Sequence, residues 1–355
     1  MNYVRRINLS IGIFKFIQYY MEHKITAQQL EILSEVDFLV PLKQVGLITR
    51  SVLEALELFY KPRRIFVVTS KKEADILRSL SKYWKINHLE LIHEEDFFKP
   101  NFNLSLEEII KEYDISRGFE QREPGWWIQQ LIKLGAATQI DGLSPFYIVW
   151  DGDLVPIRRW KLCDYNDNGE KIYYIAILQG ETRSEFNSYQ YSSCMKSLTN
   201  MTPLEPNEGG TFVSHHMVFD KKHVIEMINL IIENTGYCDI PWPKLLMSYS
   251  RKFYRFSEYK TYATFMVNNY PKEFHYHLFN DFGAGGLRFR EANEILEKIL
   301  LECPIINGGI PYEKIKSFFH ENWNTLPGAK EDLYPAYIQL DHVYGLEDID
   351  LNMDK

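Results

Sequence analysis

Mainly apolar runs alternate with helical spacing along the first hundred positions. Val36 to Pro41 and Arg64 to Thr69 are short runs dominated by β-branched, aromatic and aliphatic residues, and Ile86 to Ile92 is a third apolar run, interrupted by Asn87, His88 and Glu90. Runs of this length without polar alternation predict strands covered on both faces. Between them, Ile48 to Tyr60 and Lys71 to Tyr83 place apolar residues at helical intervals. The order strand, helix, strand, helix, strand predicts a parallel sheet with crossover helices. Ser105, with Glu108 three residues on, has the form of a capping box and predicts a short helix reaching Tyr113. Gly125 to Ala137 predicts a longer helix with Trp127, Leu131 and Leu134 on one face, and Phe146 to Trp150 is the next strand. It runs directly into Asp151.

The pattern loosens after Val155. Asp164 to Lys171 predicts a hairpin-like turn between shorter strands. The run Thr211 to Phe219 leads into a helix over Lys221 to Asn234, and another helix runs from Ser257 through Val267. Two more, Glu291 to Glu302 and Tyr312 to Asn322, precede a mixed tail. These elements predict an α/β fold: a Rossmann-type, mostly parallel sheet flanked by helices, with a helical C-terminal extension. The expected division is an N-terminal helical segment over 1–35, a catalytic domain over 36–289, and an extension over 290–355 packed on that domain.

With 45% hydrophobic and 15% aromatic residues, among them 23 Tyr and 22 Phe, the 355-residue chain has ample material for a core and for ring-lined pockets. A net charge of −8 argues against a nucleic-acid partner, which needs clustered Lys and Arg. Lys61, Arg63 and Arg64 remain a local basic feature, either for a diphosphate or as plain surface charge. Cys163, Cys194, Cys238 and Cys303 show no metal or redox spacing, so reduced thiols and a cytoplasmic protein are expected. Ile7 to Met21 is apolar but interrupted by Asn8, Ser10, Lys15 and Gln18, too short and polar to span a bilayer. A packed amphipathic helix is expected there, with peripheral membrane contact as the alternative.

Asp151 and Asp153 carry the candidate chemistry. An extended segment puts both carboxylates on one side with only Gly152 between them. Ligands of open α/β sheets bind outside the carboxyl ends of the strands, where this pair falls. A hard divalent ion held there, manganese or magnesium, would neutralise a leaving diphosphate.

Four segments resemble, in order, a family of GT-A-like glycosyltransferases, many known only as a domain of unknown function, from bacterial and viral surface-polysaccharide loci. They are Trp126 to Leu134, Val149 to Asp153, Phe212 to Asp220 and Phe256 to Tyr262, within a resemblance spanning about Asp37 to Asn269. The resemblance implies a metal-dependent transfer of sugar from a nucleoside-diphosphate sugar, UDP-linked, to a glycan or lipid-linked acceptor. Inversion is the expected outcome; retention on the same fold and a sugar nucleotidyltransferase are the alternatives.

Glu258 opens a helix 105 residues after Asp153, where the resemblance implies an acidic residue that takes the acceptor's proton, and it is the expected general base because inverting transfer needs such a carboxylate. A plain helix-start acid is the competing reading. His215 and His216 are adjacent and point oppositely, with His216 expected in the cleft against diphosphate or acceptor. Lys133 and Gln130 share the helix before the aspartate strand and are expected at the nucleotide, together with Pro41 at the end of the first strand. His275 and His277 alternate on one side of an extended run, and either could add an imidazole to the metal's shell. Phe282 to Gly286 is expected to act as a lid over the donor.

Overall fold

A computed structural model describes residues 26–113, 124–157, 159, 161–177, 185–206, 210–253, 255–278, 287–289, 293–322, 326 and 337–340. The stretch Ile7 to Met21 and the turn Phe282 to Gly286 lie outside the described residues. In chain order the elements that position the site are α1 (Ala27–Ser34), β1 (Asp37–Pro41), α2 (Thr49–Tyr60), β2 (Arg64–Thr69), α3 (Lys71–Ser81) and β3 (Leu89–His93). After the short helices α4 (Lys99–Phe102) and α5 (Leu106–Ile110) come α6 (Pro124–Gln139), β4 (Phe146–Trp150) and β5 (Leu154–Pro156).

The central sheet has the order β3, β2, β1, β4, and then β8 (His216–Asp220) at the edge. The first four strands are parallel and β8 is antiparallel to β4. The chain therefore builds outward from β1 in one direction to β2 and β3, and then returns to the other side of β1 with β4. The gap between the carboxyl ends of β1 and β4 is the point where strand order reverses, the place such sheets offer to ligands.

β1, β2 and β4 are covered on both faces, which explains why they do not alternate in polarity, whereas the edge strand β3 is only partly buried. Phe38, Val40, Ile65, Val67, Ile148 and Trp150 pack into one core with Val52, Leu56 and Tyr60 of α2. Leu39, Phe66, Val68, Tyr147 and Val149 pack on the other face with Trp127, Leu131 and Leu134 of α6. In α6, Gly135 lets the helix lie against α4 and its approach, since a Cβ there would stand 2.8 Å from the Phe98 ring. At the amino edge, buried Asp37 accepts hydrogen bonds from Arg63, Arg64 and the Ser144 N–H. Burial alone would raise its pKa, but these donors together hold it below the ordinary carboxylate range. The basic pair Arg63 and Arg64 thus serves the sheet's amino edge, opposite the carboxyl ends.

Two smaller sheets follow. β6 (Cys163–Tyr165), β7 (Lys171–Ile177) and β9 (Phe274–Leu278) form one. β5, β11 (Tyr337–Leu340) and β10 (Leu287–Phe289) form the other. The helices α7 (Glu185–Thr199), α8 (Lys221–Thr235), α9 (Trp242–Ser248) and α10 (Glu258–Asn269) lie between β7 and β9 in sequence, and α11 (Asn293–Glu302) and α12 (Tyr312–Asn322) between β10 and β11. The C-terminal stretch joins the first core: Ile310, Ile315, Phe318 and Phe319 are buried beside α2, and Ile310 N–H donates to Leu47 O at 2.9 Å. It is not wholly helical, because β11 pairs with β5 in the middle of the chain. Among the described residues no helix is long and apolar enough to cross a membrane.

Candidate active site

The aspartate pair sits at the switch point. β4 ends at Trp150, and Asp151, Gly152 and Asp153 turn tightly into β5, closed by Leu154 N–H donating to Asp151 O at 3.1 Å. Trp150 Nε1 donates to Leu154 O at 2.8 Å across the same turn. At Gly152 the turn passes close to the end of β1: a Cβ there would stand 3.0 Å from Leu42 Cδ1, which would have to give way, and 3.5 Å from Pro41 O. Pro41, expected at the nucleotide, is thereby placed beside the turn.

Asp151 is the centre of a buried polar network. Lys133 reaches across from α6 to put Nζ 2.6 Å from Asp151 Oδ1 and 2.7 Å from Glu258 Oε1. Lys133 also lies 4.5 Å from the centroid of the Tyr259 ring, and Tyr259 O–H donates to Asp151 Oδ1 at 3.0 Å. His215 Nδ1 is 3.0 Å from Asp151 Oδ2. Glu258 and Tyr259 open α10, whose first turn is capped by the Ser257 hydroxyl accepting from Lys260 N–H at 3.2 Å.

Charge explains the arrangement. Burial would discharge Lys133, but Asp151 and Glu258 outweigh it and raise its pKa, so it remains an ammonium. Burial also opposes ionisation of Asp151, yet Lys133 and His215 hold its pKa far below the usual carboxylate range. Glu258, 1% exposed, is raised by burial and by Asp151 despite Lys133. His215 Nε2 is buried and has no hydrogen-bond partner among the described residues, and an imidazole nitrogen left open beside the aspartate pair fits a divalent cation.

The structure brings Asp151, Asp153, Lys133, Glu258 and Pro41 together and separates the other expected residues from them. His216 is not in the cleft: it is 1% exposed, tilted on Trp150 at 5.1 Å, with Nδ1 3.1 Å from Ser214 O. Burial pushes its pKa down to about 3, so it is a neutral core residue. Its neighbour His215 takes the place instead, because His215 adopts a left-handed backbone with φ of 64° just before β8 begins. Strand alternation does not apply to a residue in that conformation.

Gln130 is buried on α6, its Nε2 donating weakly to Trp126 O at 3.3 Å; no described contact ties it to the aspartates. His275 is exposed on β9, its ring 5.7 Å from that of Tyr174, and reaches neither aspartate by any described contact. The His277 side chain lies outside the described residues. Glu258, expected as a base, is turned to Lys133. Three network members were not anticipated: His215, Tyr259 and Gln339, whose Nε2 is 3.0 Å from Asp153 Oδ2.

Among the described residues, the group of His, Asp and Glu ligand atoms close enough to share a metal is Asp220, His223 and Glu273. Asp220 pairs with Phe146, the first residue of β4, so this group lies at the opposite end of that strand from Asp151. A cavity of about 780 Å³, lined by Glu57, Lys61, Arg63 and Lys85 among others, also lies at the amino edge.

No curated protein matches the chain. Among solved structures, mouse xyloside xylosyltransferase 1 in its apo form is similar at a TM-score of 0.37 and 10% identity, over 74% of this chain and 93% of that one. The 4-diphosphocytidyl-2C-methyl-D-erythritol synthase of Anaerococcus prevotii is similar at 0.32 and 8%, over 71% and 90%. An active-site mutant of LgtC is similar at 0.34 and 10%, over 86% and 87%. A family model matches residues 35–284, which include every member of the aspartate network except Gln339, and the chain belongs to that family of unknown function, DUF6492.

Proposed function

We propose that the chain is a glycosyltransferase that takes a sugar from a nucleoside-diphosphate sugar, UDP-linked in the first instance, and passes it to a glycan or lipid-linked acceptor. The observation that carries this reading is the pair Asp151 and Asp153 at the switch point, with Asp151 locked by Lys133, Tyr259 and His215. A site built so heavily around one carboxylate exists to fix the direction of its neighbour. The resemblance of the four sequence segments to GT-A-like glycosyltransferases points the same way.

In this reading Asp153 and the His215 face hold a divalent cation, manganese or magnesium. When bound, the cation supplies positive charge for the diphosphate oxygens as the sugar leaves. Asp151 aligns the turn, and Lys133 keeps Asp151 ionised. Glu258 holds Lys133 in place; to act as the base in an inverting transfer it would also have to meet the acceptor hydroxyl, and its described contact is with Lys133. Pro41 and Leu42 form the wall against which the Gly152 turn packs.

Calorimetry with a panel of nucleotide sugars, with and without Mn²⁺, tests the reading. One donor should bind only with the metal, Asp153→Ala should abolish that binding, and Asp151→Ala should reduce both binding and stability. Metal-independent binding, or unchanged affinity in a folded Asp153→Ala variant, would remove the aspartate pair from the site.

A further inference from the structure

β11 pairs antiparallel with β5, with Gln339 opposite Leu154. This register carries the Gln339 side chain, buried at 2% exposure, against the aspartate turn. Its Nε2 stands 3.0 Å from Asp153 Oδ2 and 3.2 Å from His215 Nδ1. The same Nδ1 is 3.0 Å from Asp151 Oδ2.

These three distances conflict for any fixed amide. Asp151 Oδ1 accepts from Lys133 Nζ and from the Tyr259 hydroxyl, so Oδ2 of the same carboxylate is an acceptor too, and the imidazole nitrogen 3.0 Å from it donates. The Gln339 amide nitrogen then faces another donor. An amide has the same outline with oxygen and nitrogen exchanged. With oxygen inward, Gln339 accepts from His215 Nδ1–H, but its oxygen then faces the Asp153 carboxylate, acceptor against acceptor. Neither orientation satisfies both neighbours.

A divalent cation resolves the conflict for one orientation only, the one with oxygen inward. Two adjacent oxygen ligands of an octahedral ion, each about 2.1 Å from it, lie about 3.0 Å apart. That is the separation between the Gln339 amide and Asp153 Oδ2. We infer that Gln339 is a ligand, through Oε1, of the cation held by Asp153, so that a strand near the end of the chain completes the site. The inference rests on the proposed cation at Asp153, and it gives Gln339 the place that the sequence suggested for His275 or His277.

The test is Mn²⁺ binding by the full chain, without donor, followed by the electron-paramagnetic-resonance signal of free Mn²⁺. Wild type, Gln339→Ala, Gln339→Glu and Asp153→Ala are compared, with circular dichroism as the check on folding. Gln339→Ala should weaken Mn²⁺ about tenfold. Gln339→Glu, which keeps an oxygen in place and adds a charge, should bind at least as tightly as wild type. Unchanged affinity in Gln339→Ala, with affinity lost in Asp153→Ala, overturns the Gln339 assignment and leaves the function reading intact. Tighter binding in Gln339→Ala also overturns it, because the amide would then be competing with the cation for Asp153. Should Gln339→Ala fail to fold, Gln339→Glu decides: binding weaker than wild type is incompatible with an oxygen ligand. Wild type that binds no Mn²⁺, or binds it undiminished in Asp153→Ala, removes the assignment and the proposed metal dependence together.

Discussion

Replacing Lys133 with methionine removes the ammonium that lies between buried Glu258 and partly buried Asp151 while leaving a side chain of similar length. Nζ lies 2.6 Å from Asp151 Oδ1 and 2.7 Å from Glu258 Oε1. Those oxygens are therefore no more than about 5 Å apart, where two like charges repel by about 3 kcal/mol at an effective dielectric near 20. Breaking a buried ion pair by removing one partner typically costs about 3–5 kcal/mol, and that is the loss expected for Lys133→Met at pH 7. The pH dependence carries the sign. Glu258 is raised by burial even with Lys133 beside it, and in the variant it rises further above its unfolded value. A carboxyl of that kind costs nothing below its unfolded pKa and costs progressively more as pH climbs toward the folded one. The deficit should therefore shrink when the pH is lowered from 7 to 5. Asp151 works in the opposite sense: its depressed pKa stabilises the wild type above the unfolded value, and that contribution is lost only in strong acid. Urea unfolding of both proteins at pH 5, 6 and 7 measures the difference. An unchanged midpoint at pH 7, or a deficit that grows on acidification, would refute the view that Lys133 neutralises this pair.

Glu258→Gln keeps an oxygen that can accept from Lys133 but loses the charge, so donor affinity and turnover should fall together by a modest factor. A fall of about 10² or more in turnover at constant donor affinity would instead identify Glu258 as the base. For the thiols, Cys238 is exposed and the other three are buried, with burial pushing Cys163 up to about 12 and Cys303 to about 11. DTNB should therefore label one group quickly in the native chain and four after denaturation, and a silent denatured sample would count against free thiols.

The sheet was legible because burial on both faces writes itself into consecutive residues: Phe38 and Val40 enter one core and Leu39 the other. The aspartate turn was legible for a related reason, since an apolar strand that stops at Asp-Gly-Asp has few other places to end. His215 was not, because its left-handed backbone breaks the alternation on which the choice of His216 rested. Tyr259 could have been suspected from its position next to Glu258 at the start of α10, where both side chains reach the same edge of the sheet. Gln339 had no local signal. It lies 186 residues from Asp153 and arrives only because β11, in a tail read as mixed, pairs with β5. His275 illustrates the converse: its alternation with His277 is genuine strand geometry, but the strand joins β7 and carries His275 to the surface.

The two aspartates, alike in sequence, differ in what surrounds them. Asp151 Oδ1 is met by Lys133 and by the Tyr259 hydroxyl, and Oδ2 by His215. A carboxylate so engaged, with its pKa driven well below the ordinary range, has little capacity left for a cation or a substrate. Both aspartates are partly buried, but Asp153 Oδ2 faces the neutral amide of Gln339, a group that can turn its oxygen inward without changing shape. One carboxylate is anchored so that the other can bind. The anchoring is also what makes the ammonium necessary, since without Lys133 the fold would have to hold Asp151 beside the buried carboxyl of Glu258 with no cation between them.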